Sequence, residues 1–330
     1  MRRANQIMKM KNLVLASILL LVVTGCSLAQ PIVFPTKPWS ATVKVIGEDG
    51  QSVSNANVAV GYFLPPYSFS DDPEYNARIV GITDTNGLFF ATHKDRTGEI
   101  GFSVSKQGYY ETRSSCTLRD PMENANDRNI SLILVLKKVG KPIPMYAKRQ
   151  EMKIQKEDEP LGFDLEVGDW VTPNGKGEHT DLFFTVHRKI ISEREYDCTL
   201  TVTFPNKDDG LAVAPAEPDN GSEFKTSRTA AESGYQPELT LHYSFNKWPT
   251  SVFGYFIRVR TVLDADGKVK SALYGKIPGN FMILAGTKAP KAGMVFTYYL
   301  NPTANDHNLE FNPKQNLFRT LTIMEEVKWP

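Results

Sequence analysis

Catalysis and ion binding need particular side chains at particular spacings, and a few stretches of this chain come near to supplying them. Asp264-Ala265-Asp266-Gly267 opens like a calcium-binding loop. Such a loop needs a further oxygen ligand two residues after the second acid, and a closing glutamate. Lys268 stands at that place and Lys270 follows, so the stretch reads as a hairpin turn. Glu178, His179 and Asp181 are metal-ligand types close together after Gly175-Lys176-Gly177. Yet His93, His187, His242 and His307 are scattered at no fixed spacing, and no His-Glu-x-x-His occurs. The stretch reads as a solvated loop before a strand at Asp181, with no metal site. Gly175-Lys176-Gly177 lacks the spacing that wraps a phosphate, and there is no Gly-x-Ser-x-Gly elbow. Neither Cys116 nor Cys198 has the surroundings of a cysteine nucleophile. No cofactor and no catalytic residue is expected from spacing, although a triad or carboxylate pair gathered from distant residues is recognised by geometry alone.

The elements that would position these residues are strands. Val43 and Val45, a turn at Glu48-Asp49-Gly50, then Val58 and Val60 alternate as half-buried strands do. Ile79 to Thr83, Leu88 to Thr92 and Ile100 to Val104 follow, with Asp84-Thr85-Asn86-Gly87 as a turn. Ile130 to Leu136 reads as a strand buried on both faces. Further on, Asp181 to Val186, Tyr196 to Phe204, Leu239 to Tyr243, Phe253 to Leu263, Val269 to Ile277 and Met294 to Leu300 are rich in strand formers. No helical period is sustained. The expected class is all-β, with two β-sandwiches, and 330 residues allow about two domains. Val139 to Pro160, broken by Gly140, Pro142 and Pro144 and then heavily charged, reads as a solvated linker between them. A protease should cut there first. Pro205 to Glu238 reads as a long polar loop that buries little, the place where recognition is often carried. Trp170, Trp248, Tyr243, Tyr255, Tyr298 and Tyr299 are core candidates; on an open face they would stack on sugar rings.

The chain begins with the basic residues Arg2, Arg3, Lys9 and Lys11 and a nearly unbroken apolar run from Leu13 to Val23, the layout of an export signal. Leu21-Val22-Val23-Thr24-Gly25-Cys26 resembles the bacterial lipobox. The resemblance implies removal of residues 1–25 and lipidation of Cys26. A lipoprotein of the bacterial cell envelope is then expected, held to a membrane by acyl chains and facing the periplasm or the surface. The processed chain would carry 34 basic and 37 acidic residues, which gives no footprint for nucleic acid. Ser27 to Ser40, with Pro31, Pro35 and Pro38, reads as a tether. In that oxidising setting Cys116 and Cys198 either form a disulfide or remain two separate, partly buried thiols.

A second resemblance rests on Asp49-Gly50, on Gly81-Ile82-Thr83-Asp84-Thr85-Asn86-Gly87-Leu88-Phe89 and on Lys106-Gln107-Gly108-Tyr109. Their order between strands is similar to the carboxypeptidase regulatory-like domain, a transthyretin-type sandwich without chemistry of its own. It covers about residues 41–138, and the insert from Phe63 to Tyr75 departs from it. Residues 161–330 match no recognised pattern and are expected to form the second sandwich. The function expected is binding or structural support in the envelope, with a glycan or protein as partner. The alternative is an envelope hydrolase acting on glycan or peptide through the second sandwich.

Overall fold

The computed structural model describes residues 39–63, 76–94, 99–117, 129–216 and 221–330, and among these it holds strands and turns without an α-helix. Cys26, the export signal, nearly all of the tether and most of the insert after Phe63 lie outside the described residues. The first sandwich contains β1 (Trp39–Gly47), β2 (Asn57–Phe63), β3 (Asn76–Ile82), β4 (Leu88–His93), β5 (Glu99–Ser105), β6 (Thr112–Thr117) and β7 (Asn129–Leu136). One sheet has the order β4-β1-β7 and the other β3-β2-β5-β6. The two-residue period of a pleated strand explains β1, whose buried and half-buried positions alternate throughout. Trp39, Ala41, Val43 and Val45 thereby meet Val58, Val60, Ile100, Phe102, Val104, Leu134 and Leu136 in one core. The regular pattern starts at Trp39, two residues before the expected Ala41. β7 is not buried on both faces: it is a sheet edge, and Ile133 is 64% exposed.

The second sandwich contains β8 (Ile143–Lys153), β9 (Leu161–Asp164), β10 (Asp169–Trp170), β11 (Leu182–Ser192), β12 (Glu195–Thr203), β13 (Gly210–Val213), β14 (Glu238–Ser244), β15 (Gly254–Leu263), β16 (Val269–Pro278), β17 (Met282–Leu284), β18 (Gly293–Asn301) and β19 (Phe311–Asn316). One sheet runs β10-β9-β11-β12-β14; the other runs β13-β15-β16-β18-β8-β19, with β17 also on β18. Between them lies an aromatic-rich core that includes Phe163, Trp170, Phe184, Tyr243, Tyr255, Phe281, Phe296 and Tyr298. Of the six aromatics read as core, Trp248 alone is exposed.

The stretch read as a linker is a correction. Ile143–Lys153 is β8, an interior strand paired antiparallel to β18 and parallel to β19. Its charges misled because they sit beside buried positions: Met145 and Ala147 are fully buried, and Lys148 pairs with Glu325 at 3.0 Å. Long cationic side chains can lay their stems on a sheet and keep their heads polar. β8 itself offers a protease no loop, and the exposed turn left in this stretch is residues 155–160.

The seven-stranded sheet is covered on both faces. Met294, Phe296, Tyr298 and Leu300 of β18 enter the aromatic core, while Tyr299 joins Met145, Ala147, Phe256, Ala272, Tyr274 and Phe311 on the outer face. That face is roofed by chain around Ala230 and Tyr235 and by the C-terminal stretch around Leu309 and Val327. The polar loop expected over Pro205 to Glu238 is thus, in its described residues, not a projecting one. It supplies β13, and it buries Ser222, Phe224 and Ala230. Residues 221–228 are structural rather than a dispensable contact loop.

Candidate functional site

Residues 221–228 fasten the two sandwiches together. The N–H of Arg113 donates to Gly221 O at 2.8 Å and the N–H of Glu223 donates to Glu111 O at 2.8 Å, so the segment lines up along β6. Gly221 is required here: its φ is +74°, and a Cβ would lie 1.6 Å from Arg113 O. Phe224 is then pressed flat on Tyr110, ring centres 5.2 Å apart. Three cations surround the Phe224 ring: Arg228 at 4.8 Å, Lys276 at 5.4 Å and Lys137 at 5.6 Å.

Beside this ring Glu310, which is 2% exposed, gathers donors from both sandwiches. It accepts from Tyr110 Oη at 2.6 Å, Gly140 N at 2.8 Å, Lys141 N at 2.9 Å and Arg228 Nη1 at 2.9 Å. Burial alone would raise its pKa, but these donors outweigh burial and hold it below the usual carboxylate range. Arg228 also reaches Glu48 of the first sandwich at 3.1 Å. Lys276 lies on the outer-face row of β16 with Ala272 and Tyr274 and is roofed by the same segment. Its Nζ donates to Thr226 Oγ1 at 2.8 Å and sits 4.5 Å from the centre of Tyr299. Burial pulls this amine down to about 7, with Glu310 opposing.

Against this junction runs a groove. A cavity of about 280 Å³ is lined by Arg149, Lys225, Tyr299, Glu326 and Trp329 among others. A second, of about 470 Å³, is lined by Arg113, Ser114, Ser115, Ile133, Ser222 and Trp329. Glu223, Lys225 and Trp329 border both, so the two cavities meet there. Trp329 is 57% exposed while its backbone is held, with Tyr299 Oη donating to Trp329 O at 3.3 Å and Val327 buried near it. Arg113 is paired with Glu111 at 2.8 Å and Arg149 with Glu151 at 3.1 Å. Lys225 has no ion-pair partner among the described residues and also borders a third, small cavity next to Lys276. An aromatic platform beside a cation that no described acid pairs with is equipped to bind, and neither spacing nor periodicity announced it. The one signal in the sequence was the tryptophan that closes Glu325-Glu326-Val327-Lys328-Trp329, a large ring beside charged residues.

The residues singled out earlier are elsewhere. Cys116 and Cys198 are free thiols, one packed against the core of the first sandwich and one inside the core of the second. Burial lifts the Cys198 thiol to about 12, which leaves it an inert hydrophobe. Glu178 and His179 offer only backbone N–H groups, at 3.0 and 2.9 Å, to Asp164. Asp181 turns into the fold, bonding Leu165 N at 2.8 Å and Arg260 Nε at 2.8 Å. Among the described residues no three His, Cys, Asp or Glu side chains gather as metal ligands. Asp264 caps the β15–β16 hairpin, accepting from the N–H groups of Asp266 and Lys268 at 2.9 Å each.

No protein-family model matches the chain, and no curated protein matches it. Solved structures with partial likeness include 3-chlorocatechol 1,2-dioxygenase from Rhodococcus opacus 1CP, at 15% identity over 33% of this chain and 63% of that one, with a TM-score of 0.26. Wild-type catechol 1,2-dioxygenase from Acinetobacter radioresistens shares 17% over 32% of this chain and 53% of that one, TM-score 0.26. Chlorocatechol 1,2-dioxygenase from Pseudomonas putida shares 17% over 32% and 63%, TM-score 0.25. The chain thus spans less than two thirds of each of these enzymes.

Proposed function

We propose that this chain is a lipid-tethered binding protein of the bacterial cell envelope, and that its contact surface is the groove between the two sandwiches. The observation that carries the binding part is Trp329: a tryptophan 57% exposed, on a held backbone, where cavities of about 280 and 470 Å³ meet. Large exposed rings on rigid supports are a common anchor of recognition. The tether rests on Cys26 and the lipobox-like residues before it. Two or three acyl chains would hold it firmly, because each buried CH₂ contributes roughly 0.8 kcal/mol. The carboxypeptidase regulatory-like resemblance supports a non-catalytic module nearest the lipid. A second reading, hydrolysis of an envelope glycan or peptide, takes support from Glu223 and Glu326, which line the same cavity.

The test uses full-length protein and its Cys26→Ala and Trp329→Ala variants. Cys26→Ala is expected to accumulate as unprocessed precursor that no longer partitions into detergent. Trp329→Ala is expected to remain folded and to lose capture of envelope material. Unchanged partitioning would refute the anchor, and unchanged capture would refute the groove. Turnover of an envelope glycan or peptide that disappears in Glu223→Gln would replace binding by hydrolysis.

A further inference from the structure

We propose that the groove takes a carboxylate-bearing saccharide chain, with a sugar ring stacked on Trp329 and a carboxylate held by Lys225; this rests on the groove being the contact surface. The first argument is the platform. The C–H face of a sugar ring is apolar and slightly electropositive, so it fits the electron-rich face of an indole, while its hydroxyls need hydrogen-bonding groups around the rim. The 470 Å³ cavity beside Trp329 has such a rim in Ser114, Ser115 and Glu223. A peptide would instead call for apolar sockets at alternate positions, and Ile133 is the exposed aliphatic side chain on this wall. The two cavities together have the room that ligands of several rings require.

The second argument is charge. Three cations border the groove, and two are already committed: Arg113 to Glu111 and Arg149 to Glu151. Lys225 faces both cavities from the position between them and has no ion-pair partner among the described residues. Behind it, Lys276 is buried, its one hydrogen-bond partner among the described residues is Thr226 Oγ1, and Thr226 itself lines the 280 Å³ cavity. A cation on one wall, beside a stacking platform, selects an acidic sugar over a neutral one.

Calorimetric titration of the full-length protein with three probes tests this: polygalacturonate, the same polymer with its carboxylates reduced to alcohols, and poly-glutamate of matched charge. The expected order is polygalacturonate tightest. Lys225→Met should weaken polygalacturonate about tenfold, the scale of one hydrogen bond to a charged group, and bring it level with the reduced polymer. Trp329→Ala should abolish binding of both saccharides. Both side chains are exposed, so circular dichroism should confirm an unchanged fold. Poly-glutamate binding as tightly as polygalacturonate, or an acid preference that survives Lys225→Met, overturns the inference. If no saccharide binds while envelope capture still depends on Trp329, the ligand class is wrong and the binding surface stands. If Trp329 is dispensable in both assays, both are wrong.

Discussion

Glu310 and Asp181 are buried carboxylates that each face an arginine, and they respond in opposite ways. Glu310, at the junction of the sandwiches, is held below the usual carboxylate range, whereas Asp181, between the sheets of the second sandwich, is raised above it. For Asp181 burial is the largest cause and outruns the charge and hydrogen bonds of Arg260 and the Leu165 N–H. Arg260 is also divided: it reaches Glu166 at 2.7 Å and Asp164 at 3.8 Å as well as Asp181. Glu310 has Tyr110 and two backbone N–H groups in addition to Arg228. An arginine nearby does not by itself fix the state of a buried acid. The donors aimed at that acid, set against its burial, decide it.

Around Arg260 the backbone is shaped to the charges. Arg260 has a φ of +56°, and β15 shifts register between Val259 and Val262. The N–H groups of Arg260 and Thr261 that this bulge turns aside are accepted by Asp209, at 3.1 and 2.9 Å. That cluster pins one sheet to the other inside a sandwich. The Glu310 cluster pins one sandwich to the other, and so carries the geometry of the groove.

The largest expected effect is on that junction. Glu310→Gln should cost about 3–5 kcal/mol, the loss on breaking a buried pair, because Arg228 and two N–H donors lose an anion. Asp181→Asn should cost less, about 1–3 kcal/mol, because its ionised form is already disfavoured and Arg260 keeps Glu166. Urea unfolding of the three proteins measures both, and equal losses would break the contrast.

Lys276→Met should come next, with a gain. The amine drops from 10.5 free to about 7 folded, so burial opposes folding wherever the unfolded chain would be protonated. The penalty is complete below about pH 7 and disappears as pH rises to 10.5. Replacing a buried ionic group by a fitted apolar one gains about 1–4 kcal/mol. Thermal melts at pH 6 and pH 10 check it: the gain should be larger at pH 6, and a loss at both would mean that the charge holds the junction.

The smallest effect is the pH dependence of the two acids, with opposite signs. Glu310 has a lowered folded pKa, so its stabilisation is present above its ordinary pKa of 4.5 and is lost as pH falls through the folded value. Asp181 has a raised one, so it opposes folding increasingly as pH rises from 3.8 through the folded value. The deficit of Glu310→Gln should therefore shrink in acid, while that of Asp181→Asn should grow. Parallel slopes would show that both acids feel the same environment.

Strand alternation made much of the fold legible, since a sheet with one covered face writes its period into the sequence. It failed where a second layer covers the other face. The charges of β8 concealed an interior strand, and Lys276, at a position that alternation assigns to solvent, lies under residues 221–228. The groove was illegible for the same reason. Arg113, Lys225, Tyr299 and Trp329 lie far apart in the chain and share no period, and only the docking of two sandwiches brings them together.

Two turns separate what each level decides. Asp84-Thr85-Asn86-Gly87-Leu88 and Asp264-Ala265-Asp266-Gly267-Lys268 fold alike, each aspartate accepting from the N–H groups two and four residues on, with φ of +72° at Gly87 and +76° at Gly267. The sequence by itself determined these turns, because one carboxylate and one glycine satisfy them locally. Their use was not local. The second turn joins the paired strands β15 and β16. The first carries the chain from β3 in one sheet to β4 in the other, with Val45 N donating to Gly87 O at 2.8 Å and Thr83 N donating to Ala56 O at 2.9 Å. Which strands pair across a turn depends on where distant apolar faces find cover, and only the assembled tertiary structure decides that.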